Sequence, residues 1–177
     1  MNLFLWGALP YIAFTFLIVG TLVRFFYFER NWTTKSSEFL EKKQLRIANP
    51  LFHFGLLCVI GGHVVGVLIP KTWTAAIGIN DHMYHQGALY MGAVAGIIFI
   101  VGFLLLMKRR FTVPAMKVNT SCLDKWLYLF LTLAIFSGMA GTLLNASGFF
   151  DYRVSIGPWF RSLISFMPNP SLMEGVP

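Results

Sequence analysis

The sequence predicts an all-α integral membrane protein with four transmembrane helices, and three observations carry that prediction. Hydrophobic residues fill 56% of the 177 positions and charged residues only 12%, with a mean hydropathy of +0.67. A water-soluble domain carries about twice that charge fraction. Four apolar runs each approach the about 20 residues that a helix needs to cross a bilayer. Finally, the basic residues are gathered in two short stretches between those runs. A formal net charge of +7 invites a nucleic-acid partner, but basic residues grouped this way mark membrane topology instead. Backbone groups in lipid must be satisfied within the segment, so the runs are helices, and the alternation of a strand barrel is absent. The length fits one membrane domain over residues 1–177.

The first span is Leu3–Tyr27. No basic residue precedes its apolar run and no small-residue cleavage site follows it, so it reads as an uncleaved span rather than a signal peptide. The stretch from Arg24, near its end, to Arg46 carries Arg24, Arg30, Lys35, Lys42, Lys43 and Arg46. Its Glu29–Asn49 portion, with the helix-like run TTKSSEFLEKK, is a candidate docking surface for a cytoplasmic partner. The second span is Pro50–Ile69 and the third is Gly87–Met107. Between the third span and the fourth, Leu123–Leu144, come Lys108, Arg109, Arg110, Lys117 and, just inside the fourth, Lys125. These two stretches hold eleven of the fourteen Lys and Arg residues, leaving only Lys71, Arg153 and Arg161 on the other side. The positive-inside rule then places the N-terminus outside and both basic loops in the cytoplasm.

The outer segment 145–177 contains FDYRVSIGPWFRSLISF, whose aromatic rings and two arginines suit a helix or turn at the membrane interface. It ends in PNPSLMEGVP without a return span, and a fifth span is expected beyond the end of this chain. Cys58 lies midway along the second span and Cys122 just before the fourth. At such different depths a disulfide between them is not expected. Neither a zinc spacing nor a Cys-x-x-Cys-His haem-attachment motif occurs.

The run NPLFHFGLLCVIGGHVVGVLIP, residues 49–70, carries His53 and His63. Ten helical residues rise about 15 Å and leave the two side chains about 80° apart around the axis, at two depths of one membrane. Ionisable residues inside a membrane are functional candidates by default. The plainer alternative is a pair of neutral histidines hydrogen-bonded to neighbouring helices. Gly55, Gly61, Gly62 and Gly66 surround them, either to let a flat macrocycle approach or to let another helix pack closely. Haem iron accepts neutral imidazole, and haems at those two levels would form an electron path across the bilayer.

Together, RNWTTKSSEFLEKK, the His-x9-His run just quoted, LLLMKRR and FDYRVSIGPWFRSL resemble the gamma subunit of respiratory nitrate reductase, a membrane di-haem cytochrome b, in its Gram-positive form. The likeness runs essentially end to end. It implies a subunit of the bacterial cytoplasmic membrane that oxidises quinol (menaquinol or ubiquinol). The electrons would pass through two b-type haems to a cytoplasmic iron–sulfur subunit and then to a molybdenum subunit that reduces nitrate. His53 matches the ligand of the inner haem and His63 that of the outer haem. In the family each second axial histidine comes from a fifth span, which this chain does not supply. Met139, at about the depth of His63, reads as packing.

The resemblance also places a quinol site beside the outer haem, with a polar contribution from the outer loop that runs into the third span. His82, Tyr84 and His85 are the candidates there, Lys71 is a weaker one, and Gly62 with Gly66 would leave room for the quinol ring. Histidine suits proton acceptance because imidazole ionises near neutrality. Arg109 and Arg110 are topology determinants first, and candidates to pair with haem propionates or with an acidic docking face. The rival functions are the cytochrome b anchor of a hydrogenase, formate dehydrogenase or heterodisulfide-reductase-like complex, and a haem-free transporter or anchor. A transporter would show inverted repeats or interrupted helices, and neither is evident.

Overall fold

The computed structural model describes residues 2–27, 40–149, 151–174 and 176. The described residues form helices and turns without a strand. Four helices are long and apolar enough to cross a membrane: Phe4–Tyr27, Lys43–Leu68, Asp81–Thr112 and Cys122–Ala146. The expected four spans are therefore present. The run TTKSSEFLEKK lies mostly outside the described residues.

The chain packs as two units, residues 1–36 with 152–177, and residues 37–151. In the first, helix α1 (Leu9–Tyr27) is preceded by a π-helical turn, Phe4–Ala8. The short helix α7 (Ile156–Ile164) and the 3-10 turn Pro170–Met173 pack near its start. The Tyr11 hydroxyl donates to the Leu163 carbonyl at 2.8 Å, and the Trp159 indole N–H donates to the Trp6 carbonyl at 2.8 Å. Trp6 and Trp159 meet edge to face at 5.7 Å, while Tyr11 stacks on Phe166 at 5.9 Å. These are amphipathic rings with an apolar body and a hydrogen-bonding tip, the composition expected of an interfacial segment.

The second unit is built on an antiparallel pair, α2 (Lys43–Leu68) and α4 (Asp81–Thr112). Both helices outrun the apolar stretches that marked them. Helix α2 starts at Lys43, ahead of Pro50, because its first turns carry solvent-compatible Lys43, Gln44 and Arg46. Pro50 removes one N–H from the ladder but only near that end. Helix α4 starts at Asp81, where the Asn80 side chain accepts the Met83 N–H at 2.8 Å and caps it. His82, Tyr84 and His85, expected in a loop, therefore lie on the first turns of α4. Arg109 and Arg110 fall in its last turn, where cations complement the helix dipole.

Between α2 and α4 lies the short helix α3 (Lys71–Ala76), started by extended Pro70 and followed by Gly78 at φ +82°, a left-handed turn residue. Beyond α4, Pro114 opens helix α5 (Pro114–Val118), and a capping box of Ser121 with Asp124 starts α6 (Cys122–Ala146). The α2–α4 seam is aromatic: Phe52 meets Phe99 at 5.3 Å and Phe103 at 6.4 Å, and Phe99 and Phe103 are buried. Phe103 continues to Tyr128 of α6 at 5.9 Å.

Candidate functional site

His53 and His63 project from α2, and each settles its ring in the same way. His53 Nδ1 lies 2.9 Å from the Asn49 carbonyl and His63 Nδ1 lies 2.8 Å from the Val59 carbonyl, each one turn back along the helix. A carbonyl only accepts, so Nδ1 carries the hydrogen, and in a neutral ring Nε2 is then the nitrogen with the lone pair. Among the described residues no hydrogen bond reaches either Nε2, and both side chains are exposed on the helix surface. This is the arrangement that orients an imidazole as a metal ligand, with the non-coordinating nitrogen donating to a carbonyl.

The donor set narrows what such ligands can hold. Among the described residues no three His, Cys, Asp or Glu side chains gather as they would around a bare ion. A lone imidazole suits a metal that brings its own equatorial donors, as haem iron does. The glycines divide on the same test. A Cβ built on Gly61 or Gly62 would meet nothing within 4 Å, so the flank of His63 is open to a flat group. On Gly55 it would lie 2.5 Å from the Phe99 nitrogen. Gly55 is therefore a helix-packing glycine, and Gly66 is likewise buried. His53 and His63 would each offer one ring nitrogen to a haem iron, with an open flank beside His63.

Two residues beyond His63, Val65 of α2 joins Ile69, which caps that helix, in an open pocket of about 320 Å³ also lined by Trp73, Thr74, Ile77, Ile79 and Tyr84. Its volume is at the lower end for sites that take a small organic molecule. Of the residues expected at a quinol site, Tyr84 lines this pocket; His82, His85, Lys71, Gly62 and Gly66 do not. The sequence reading missed Trp73 and its helix α3. Pro70 followed eight residues later by a turn glycine was the available signal, too short to carry an apolar period.

Ion pairs close both ends of this unit. Lys71 Nζ lies 2.7 Å from Asp151 and 3.4 Å from Asp81. The Asp151 hydrogen bond raises the Lys71 pKa above the usual lysine value, against the lowering effect of partial burial. At the other end Arg109, only 4% exposed, donates to Glu41 Oε2 at 2.8 Å and to the Glu41 carbonyl at 2.6 Å. The Gln44 N–H, then Arg109, hold the Glu41 carboxyl below the usual carboxylate range despite some desolvation. Arg110 meets Asp124 at 3.2 Å. Both arginines proposed for haem propionates thus have protein carboxylates at hand. Cys58 and Cys122 are free.

The family model for the nitrate reductase gamma subunit matches residues 2–177. The chain belongs to the nitrate reductase gamma subunit family. It is 47% identical over 174 residues to the nitrate reductase gamma chain of Bacillus subtilis, covering 98% of this chain and 78% of that one. Identity to the respiratory nitrate reductase 1 gamma chain of Escherichia coli is 30% over 178 residues, covering 99% and 79%. The nitrate reductase-like protein NarX of Mycobacterium tuberculosis is 39% identical over 175 residues, which cover 97% of this chain and 27% of NarX. In NarX, then, a segment similar to this whole chain is one part of a longer protein. As a gamma-subunit family member with four membrane-length apolar helices, this chain is a membrane protein of nitrate reductase type.

Proposed function

We propose that this gamma-family chain is the quinol-oxidising cytochrome b subunit of a respiratory nitrate reductase. The observation that carries the proposal is the pair of imidazoles on α2, each with Nδ1–H tied to the carbonyl one turn back and Nε2 left as a lone-pair donor. When bound, b-type haems supply one-electron carriers at the two depths that His53 and His63 mark. His63 would hold the haem on the outer side and His53 the one on the inner side, with the N-terminus outside. The inner-loop partner is a cytoplasmic iron–sulfur subunit, which hands electrons to a molybdenum subunit.

Quinol releases two electrons and two protons on becoming quinone. We assign the head group to the pocket lined by α3 residues and Tyr84, whose wholly apolar lining suits the quinol ring. His85 and His82, on the same first turns of α4, would take the protons toward the outer water. Gly62, outside this pocket, leaves open the flank of α2 beside His63. Of the two arginines, Arg110 remains 21% exposed and is the one we favour for a propionate; Arg109 is closed in by Glu41.

The test uses the complete complex with His53→Ala and His63→Ala, read by reduced-minus-oxidised spectra and by nitrate reduction. Each variant is expected to lose one b haem and all quinol-driven nitrate reduction. Each should keep the nitrate reduction driven by an artificial donor that feeds the cytoplasmic subunits. Quinol should still reduce the haem left in His53→Ala and leave the one in His63→Ala largely oxidised. A complex that keeps two haems through either change sinks the proposal and favours a haem-free anchor.

A further inference from the structure

Two glycines set the closest approach of α2 to α4, and they bracket His53. A Cβ on Gly55 would lie 2.5 Å from the Phe99 nitrogen and 2.6 Å from the Phe99 Cα. A Cβ on Gly102 would lie 2.6 Å from the Phe52 Cα and 2.8 Å from the Leu51 carbonyl carbon. These neighbours are backbone atoms, which no side-chain rotation can move aside. Each helix therefore seats its backbone in a notch of the other, and residues 51–55 of α2 have one register against residues 99–102 of α4. The Phe52 ring, beside His53 in sequence, reinforces the seat against Phe99 and Phe103. Beside His63, Gly61 and Gly62 face open space while Gly66 is buried.

A slip of one residue moves a helix about 1.5 Å along its axis and turns it about 100°, whereas metal–ligand distances hold to about 0.2 Å. Even the smaller adjustment that a methyl group at either notch would force is large on that scale. We propose that Gly55 and Gly102 are positioning residues for the inner ligand. Their interlock fixes the depth and rotation of His53 Nε2, ten residues away from His63 on the same helix. This rests on the reading of His53 as an axial ligand.

The experiment is Gly102→Ala and Gly55→Ala in the complete complex, with Gly96→Ala on the same α4 as control, since a Cβ there would meet nothing within 4 Å. The readouts are the midpoint potential and low-spin EPR signal of each haem. Both test variants are expected to shift the haem that His53→Ala removes and leave the other unchanged, while Gly96→Ala moves neither. Where the alanine variants do not assemble, Phe99→Leu decides in the same way, because it loosens the seat of Phe52 from the α4 side and leaves the Phe52–His53 ring contact in place; it should give a smaller shift of the same haem. Unmoved haems, or equal shifts in both, overturn the inference. If His53→Ala leaves both haems in place, the functional reading has failed and the positioning role falls with it. If His53→Ala removes one haem that Gly102→Ala leaves undisturbed, only the positioning role is lost.

Discussion

Glu41 and Arg109 are 68 positions apart in the chain, yet they make the most enclosed ion pair of the second unit, with the arginine 4% and the glutamate side chain 17% exposed. A charge that deep is retained only when it is paired and hydrogen-bonded. Glu41→Gln removes the carboxylate and leaves the guanidinium buried, so the variant is expected to melt at a lower temperature at neutral pH. The pH dependence has a definite sign. The folded state holds the Glu41 carboxyl below its ordinary value of 4.5, so its contribution is complete above that value and is lost as pH falls through the lowered one. Melting curves of detergent-solubilised protein should therefore show the two forms converging in acid; an unchanged gap down to strongly acidic pH would refute this. At this scale the sequence was half legible. A histidine inside an apolar run announces itself, but which ring nitrogen is free depends on a carbonyl one turn away. Which carboxylate meets Arg109 depends on how two helices pack, and neither is written in local sequence.

Along α2 four glycines looked alike in sequence, and the helix pair separates them. Gly55 and Gly66 are buried, Gly55 against the Phe99 backbone, while Gly61 and Gly62 face open space beside His63. The reason they could not be told apart is that a small residue permits close approach of anything, and only the partner's register says of what. Helix ends were misjudged for a different reason. An apolar stretch marks the part of a helix that lies in lipid, whereas caps and polar first turns extend α4 back to Asp81 and place Tyr84 on the pocket wall. That extension hangs on Asn80, whose side chain accepts the Met83 N–H. Asn80→Ala should cost about 1 kcal/mol locally. Hydrogen exchange at the amides of Asp81 to Tyr84 is expected to quicken about fivefold, while exchange in the α2–α4 seam stays unchanged. Unaltered exchange at those amides would mean that α4 starts without its cap.

For the molecule as a whole, the four spans were legible because crossing a bilayer demands a length and an apolarity that few other segments meet. The same physics makes orientation a matter of where charge is too costly to carry across. Eleven of fourteen Lys and Arg residues lie in the two loops on one side, and short basic loops are retained in the cytoplasm. A labelling experiment decides it without altering that charge balance. In a background with Cys58→Ser and Cys122→Ser, Asn119→Cys tests the loop between α5 and α6, and Val154→Cys tests the segment before α7; both positions are exposed. A membrane-impermeant maleimide on intact cells should label position 154 and leave 119 unlabelled until the membrane is opened. The consequence reaches the proposed chemistry. Asn49 and His53 lie at the end of α2 that Arg46 and Lys43 flank, whereas His63 lies toward Pro70 and the pocket lined by Tyr84. Labelling at 119 in intact cells would put His53 on the outer side and the pocket on the cytoplasmic side. Quinol protons would then be released inward, and the direction of electron flow proposed from His63 to His53 would no longer lead toward a partner on the basic face.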